Sequence, residues 1–171
     1  MILMLLLYIL TNIIFLVVFF YVLYTSKIKS LVMNKNEPIS NIMTTELITL
    51  SFSDTLYSAE KRMKVNHIRH IPVVDEEKLV GLLSLSDLKR ISFIDAYSQV
   101  GTEDTPVYNM LSIKDMMIKK PLTVSPDNSI FLVTEIFTHK EFHSLPVVAD
   151  GKLVGIVTTT DLLNYFIKCC E

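Results

Sequence analysis

Tryptophan is absent from the 171 residues, glycine occurs only 4 times and proline 6 times, and the two cysteines, Cys169 and Cys170, are neighbours near the C-terminus. So little Gly and Pro excludes a collagen-like or low-complexity chain. Adjacent cysteines cannot bridge distant parts of a fold and match no zinc spacing, which removes the disulfide scaffold and the zinc module; free thiols fit a reducing compartment. An excess of basic charge is missing too. The formal net charge is −2, without the footprint of a nucleic-acid binder. Absent as well are a phosphate-binding Gly-x4-Gly-Lys-Ser/Thr loop, a nucleophile elbow and a carboxylate pair in an evident cleft, so no enzyme is expected. With 50% apolar and 20% charged residues, the chain can bury the core of one domain.

One stretch organises the rest. Leu79-Val80-Gly81-Leu82-Leu83-Ser84-Leu85-Ser86-Asp87-Leu88 returns 74 residues later as Leu153-Val154-Gly155-Ile156-Val157-Thr158-Thr159-Thr160-Asp161-Leu162. The same offset, without a gap, puts Pro72-Val73-Val74 on Pro146-Val147-Val148, Lys78 on Lys152, and Thr49-x-Ser51 on Thr123-x-Ser125. A repeat in this register means one supersecondary unit used twice, neither copy carrying a self-sufficient core. The expected domain has an approximate internal two-fold.

Ahead of the repeats, residues 1–26 carry no charged side chain, and Ile2 to Tyr24 is apolar apart from Thr11 and Asn12. Such a stretch is long enough for a transmembrane helix, and Lys27, Lys29 and Lys35 behind it place the C-terminal side in the cytoplasm by the positive-inside rule. A second reading stands beside it. Residues 1–32 hold no Gly, Ala, Pro or Trp, the small and interfacial residues membrane spans recruit, and Met33-Asn34-Lys35-Asn36-Glu37-Pro38 resembles an ordinary cytosolic start. Residues 1–32 are therefore either a membrane anchor or upstream translation from a mis-assigned start. Contact with a membrane is expected only if they are expressed; otherwise the protein is cytoplasmic.

The repeat unit reads as β-α-β-β-α, of mixed α/β (α+β) class, with a first domain over 38–92, a linker over 93–111 and a second domain over 112–171. A helical turn at Ser40–Met43 precedes a short apolar strand at Leu47–Leu50. Asp54 and Asn128 are placed to cap helices whose apolar stripes are Leu56, Ala59 and Met63 in the first copy, and Ile130, Val133 and Phe137 in the second. Two strands follow, His70–Asp75 and Lys78–Ser84, joined by a polar turn whose counterpart is Ala149-Asp150-Gly151. A last helix starts near Ser86-Asp87 and near Thr160-Asp161. Gly101 to Pro106 reads as an exposed acidic loop between the copies.

Each copy thus ends a strand in a hydroxyl, a second hydroxyl and a carboxylate at a helix start, where free N–H groups and the helix dipole favour an anion. Thr158 and Thr160, like Ser84 and Ser86, can donate to phosphate, whereas ionised Asp161 or Asp87 can only accept, which suits a ribose diol. Capping alone, worth about 1 kcal/mol per helix, explains a single copy. Two copies with more hydroxyls than a cap needs point to a ligand. The histidine pairs His67/His70 and His139/His143 straddle a helix end and a strand start, and no set of metal ligands completes them.

The x-Pro-Val-Val strand, the Leu-Val-Gly strand and the Gly-h-h-Ser/Thr-x-Ser/Thr-Asp ending, each present twice, resemble the cystathionine-β-synthase domain family, usually called CBS domains. The resemblance covers residues 38–168. Glu141 to Val148 and the start at Met33 are similar to small stand-alone bacterial CBS-pair proteins. It implies a pseudo-two-fold regulatory module that binds an adenine nucleotide (AMP, ADP or ATP) in clefts between the halves, needs no cofactor, and forms a homodimer. It also implies that the Asp takes the ribose hydroxyls, that Arg69 and His143 reach the phosphates, and that Ile48, Leu122, Ile71 and Leu145 supply apolar walls and backbone groups for the adenine. Alternatives in keeping with the same residues are a sensor of S-adenosylmethionine or cyclic di-AMP, and a membrane-tethered protein-interaction module without ligand.

Overall fold

A computed structural model describes residues 16–21, 34–90 and 110–170 of the chain. The expected anchor and linker lie largely outside these residues, as do Met33 and the Gly101–Pro106 loop. Residues 16–21 are helical, and among the described residues no helix is long and apolar enough to cross a membrane. Asn36–Leu162 forms one compact unit, which carries both repeats as far as Leu162.

A 3-10 turn at Ile39–Asn41 leads into the first repeat, which contains α1 (Leu56–Val65), β1 (His70–Asp75), β2 (Lys78–Ser84) and α2, helical over the described residues 85–90. The second holds α3 (Ile113–Met116), β3 (Ile118–Lys119), α4 (Ile130–His139), β4 (Ser144–Ala149), β5 (Lys152–Thr158) and α5 (Thr159–Cys170). β1 pairs antiparallel with β2 from His70↔Ser84 to Asp75↔Lys78, and β4 with β5 from Ser144↔Thr158 to Ala149↔Lys152. Both hairpins shift register at one equivalent place, between Val73 and Val74 and between Val147 and Val148. The hairpins close over Glu76-Glu77 and Asp150-Gly151, with Glu76 at φ 56°, Asp150 at 51° and Gly151 at 79°, the left-handed conformations that two-residue turns demand.

Two local expectations are corrected. Leu47–Leu50 is no extended strand: Leu50 alone makes a parallel bridge to Val73, through Leu50 N–H to Pro72 O (3.0 Å) and Val74 N–H to Leu50 O (2.8 Å). Asp54 and Asn128 are not the N-caps. Those are the next residues, Thr55 and Ser129, whose hydroxyls accept from Ser58 N–H and Leu132 N–H, each at 3.1 Å. Asp54 and Asn128 instead turn back on the chain before them, accepting from Ser51 N–H at 2.8 Å and Ser125 N–H at 2.7 Å. The apolar stripes fall where periodicity puts them, with Leu56, Ala59, Met63, Ile130 and Val133 buried; Phe137 is half-buried.

The leading segments are exchanged between repeats. β3, which precedes the second repeat's parallel bridge and helix, joins the first repeat's sheet through Gly81↔Lys119 and Leu82↔Ile118. Thr44, its equivalent, bridges Ile156 of the second repeat, and Glu37 O accepts from Ile130 N–H at 2.7 Å. The first repeat's core accordingly contains Ile113 and Met117 beside Leu50, Leu56, Met63, Ile71, Val73, Leu83 and Leu88. Each such Leu or Ile contributes about 1.5–3 kcal/mol on burial, so the first repeat does not keep its core without the second's lead-in.

Candidate functional site

Both strand-to-helix junctions are built alike. In the second repeat, Asp161 Oδ2 accepts from Thr158 N–H and from the Thr158 hydroxyl, each at 2.7 Å, while Thr158 Oγ1 accepts from Asp161 N–H at 3.3 Å. In the first, the Ser84 hydroxyl donates to Asp87 Oδ2, and Ser84 Oγ accepts from Asp87 N–H at 3.2 Å. These are reciprocal caps of the capping-box kind, with Asp at the third helical position. The carboxylate therefore does two jobs. One oxygen fixes the helix start; Asp161 Oδ1 receives no hydrogen bond from the described residues, whereas Asp87 Oδ1 lies 3.5 Å from the Arg90 guanidinium.

The hydroxyls expected to meet phosphate are thereby divided. Thr158 and Ser84 have their protons committed to the carboxylate, so they position it and are not free donors. Ser86 lies 2.9 Å from Ser84 Oγ, the hydroxyl that already donates to Asp87, so Ser86 is the donor of that pair. Thr160 remains, exposed on the first turn of α5 with its hydroxyl unbonded among the described residues.

Arg69 and His143 stand immediately before β1 and β4, and one backbone bond in each repeat ties them to the helix start. Arg69 O accepts from Leu85 N–H at 2.8 Å, and His143 O from Thr159 N–H at 3.2 Å. Both side chains are exposed. The structure thus brings Arg69, Ser84, Ser86 and Asp87 together in one repeat, and His143, Thr158 and Asp161 in the other. It does not offer the Ile71 and Leu145 side chains to a ligand, for they are 0% and 1% exposed and fill the core, so these positions present only backbone. Ile48 is half-buried against the first core, and Leu122 is 46% exposed.

A cleft of about 520 Å³ opens beside the second junction, lined by Phe137, His139, Lys140, Phe142, His143 and Thr159 among others. Of the expected residues only His143 reaches it. Thr159 and Lys140 escaped notice because a loop's side chains acquire a common wall only once α4, β4 and α5 are packed. His70 was also missed as a site residue. It is half-buried at the start of β1, and its pKa is held below the ordinary 6.5, first by burial, then by the charge of His143 and more weakly Arg69, with Asp87 acting in the opposite sense. Among the described residues no cluster of three or more His, Cys, Asp or Glu is placed to hold a metal.

The CBS domain profile matches this chain twice, over residues 39–93 and 113–168. The chain belongs to the CBS-domain family. The protein YlbB of Bacillus subtilis is 34% identical over 128 residues, covering 72% of this chain and 78% of YlbB. The CBS pair of protein MJ0100, solved in complex with 5′-methylthioadenosine and S-adenosyl-L-methionine, superposes with a TM-score of 0.63 at 26% identity, covering 77% of this chain and 96% of that one. CBSX2, solved in complex with AMP, shares the fold with a TM-score of 0.66 at 24% identity over 79% of this chain and 99% of its own. Several other relatives are longer, and the chain spans only 13% to 49% of those. Small stand-alone CBS pairs are the structural type to which this chain conforms.

Proposed function

We propose that this CBS pair is a regulatory sensor that binds an adenine nucleotide at the junctions between strand end and helix start, without catalysis of its own. The observation that carries the reading is the pair of equivalent bonds Arg69 O to Leu85 N–H and His143 O to Thr159 N–H, which twice set a basic side chain beside a carboxylate-capped helix start. In this arrangement Asp161 Oδ1 accepts from a ribose hydroxyl, Thr160 donates, and Arg69 and His143 meet phosphate oxygens, Arg69 as a bidentate fork. The MJ0100 pair supports an adenosine-containing ligand, and it keeps S-adenosylmethionine as the second candidate. Binding would favour one arrangement of the two repeats over another, which is what a sensor needs.

Two further elements belong to the same reading. We place the pair in the cytoplasm. We also expect a homodimer, for which Leu163 and Ile167, four apart on α5 and 61% and 59% exposed, offer an apolar stripe.

Thermal melts of the full chain with AMP, ADP, ATP, S-adenosylmethionine and cyclic di-AMP test the ligand. A compound at 100 times its dissociation constant stabilises by about 2.7 kcal/mol, several degrees for a domain of this size. A shift with one compound, lost in Asp161→Ala, names the signal. Flat melts across the panel would instead favour a protein-interaction module.

A further inference from the structure

The two junctions share a plan but are not equally satisfied. In the first repeat, Ser84 donates to Asp87 Oδ2, Ser86 donates to Ser84, and Asp87 Oδ1 lies 3.5 Å from the Arg90 guanidinium. In the second, only the Thr158–Asp161 cap is made. Asp161 Oδ1 and the Thr160 hydroxyl take no bond among the described residues, and the position equivalent to Arg90 holds Asn164, which brings no charge to the carboxylate. The cross-strand neighbours of the two capping hydroxyls differ as well. His70 stands opposite Ser84, and Ser144 opposite Thr158. Opposed residues of an antiparallel pair project from the same face with Cβ atoms about 4.5–5.5 Å apart, so Ser144 is aimed at the Thr158 cap. Leu145 and Val147, which fill the core, point to the other face. Ser144 is only 5% exposed, and its hydroxyl has no hydrogen-bond partner among the described residues. A buried hydroxyl without a partner is destabilising, and the fold keeps this one beside an open carboxylate oxygen.

Resting on the reading that this pair binds an adenosine-containing ligand, we propose that the second junction is its tight site, with Ser144 as the buried donor the ligand satisfies, and that the first junction is the weaker of the two. At the second junction Ser144 donates to a ligand oxygen and Asp161 Oδ1 accepts from a ligand hydroxyl, with Thr160 as a further donor at the rim. A ribose diol offers both kinds of group at once. Inorganic phosphate offers oxygens to the hydroxyls but is repelled by Asp161. At the first junction the same ligand must first part Asp87 from Arg90 and Ser86 from Ser84, so part of its binding energy is spent on bonds the protein already makes.

The test joins ligand-free melts with titration calorimetry of the full chain, comparing the natural protein with Ser144→Ala and using AMP and S-adenosylmethionine as separate probes. Removing an orphaned hydroxyl should raise the ligand-free melt by a few degrees. The same change should weaken the tight binding event, one equivalent per chain, by roughly tenfold. Opposite signs are the signature, since a serine that only supports the fold would lose stability and binding together. A ligand-free melt that falls or stays put in Ser144→Ala overturns the open hydroxyl, whatever the probes do. Two equivalents of equal affinity, or a tight event that Ser144→Ala leaves unmoved, overturn the choice of the second junction and leave the nucleotide reading standing. A raised melt with neither probe bound to the natural protein removes the adenosine ligand, and the tight site proposed for it falls with that reading.

Discussion

A methyl group on Gly155 would lie 2.7 Å from Met43 Sδ and 3.2 Å from the carbonyl oxygen of Thr44. Met43 sits in the lead-in to the first repeat and Gly155 in the second, so this close approach is made between repeats. Its equivalent, with Met117 over Gly81 and the Ile118 carbonyl at 3.1 Å from such a methyl group, is made in the opposite direction. The glycine of each Leu-Val-Gly strand is the seat of the exchanged segment.

Gly155→Ala and Gly81→Ala should therefore each destabilise the domain. Methionine is flexible, but the carbonyl behind it belongs to the paired backbone, so overpacking should cost about 1–3 kcal/mol. Urea unfolding of both variants checks this. Unchanged midpoints would mean that the lead-in segments shift without loss, and that their exchange contributes little.

Much of this was legible in the sequence, and the particular misses share one cause. The hairpins, their turns and the buried stripe Leu56, Ala59, Met63 follow from alternation, turn residues and helical spacing, all local signals. The exchange of lead-ins is not local: nothing in Met43 or Met117 says which repeat it will cover. The cap assignments missed by one residue because Asp54 and Thr55 are both good caps, and only the bond from Ser51 N–H to Asp54 decides between them. Hydroxyl-x-hydroxyl-Asp was read as more than a cap needs, yet Thr158 and Asp161 form a full reciprocal cap. What lies beyond the cap is Thr160 and the second carboxylate oxygen of Asp161.

That division of labour separates Thr158→Ala from Asp161→Ala. Both remove the cap of α5 and should cost about 1 kcal/mol in thermal or urea unfolding. Only Asp161→Ala removes the oxygen proposed for ribose, so titration calorimetry with the stabilising nucleotide should show at least tenfold weaker binding for it and a small change for Thr158→Ala. Equal weakening in the two would mean that the carboxylate matters through the helix start alone.

Asp54 and Arg62 form an ion pair that the second repeat lacks. The Arg62 guanidinium lies 2.7 Å from Asp54 Oδ1 and also donates to Thr49 O at 3.0 Å, while the equivalent positions hold Asn128 and Ile136. With the Arg side chain 40% exposed, solvent screens the pair, and a double-mutant cycle through Asp54→Asn and Arg62→Met should return a coupling of about 1 kcal/mol that shrinks in high salt. A coupling near zero would leave Arg62 with only its bond to Thr49 O and its packing.

Stability should fall in mild acid, and His70 fixes the sign. Its folded pKa lies below the ordinary 6.5, so near and below that pH the unfolded chain binds more protons than the folded one. The contribution of the neutral imidazole is fully present above about pH 6.5 and is lost as pH falls through the depressed folded value. Burial is the leading cause, and His143 and Arg69 add to it, so removing the imidazole should remove the dependence even where the domain is otherwise weakened. Melts of the natural chain and of His70→Gln at pH 7.5, 6.5 and 5.5 decide the matter. The natural protein should lose stability on each step down, while the variant should lose less between the last two. Parallel curves would show that carboxylates elsewhere set the acid limit, and that the charges around His70 are screened by solvent.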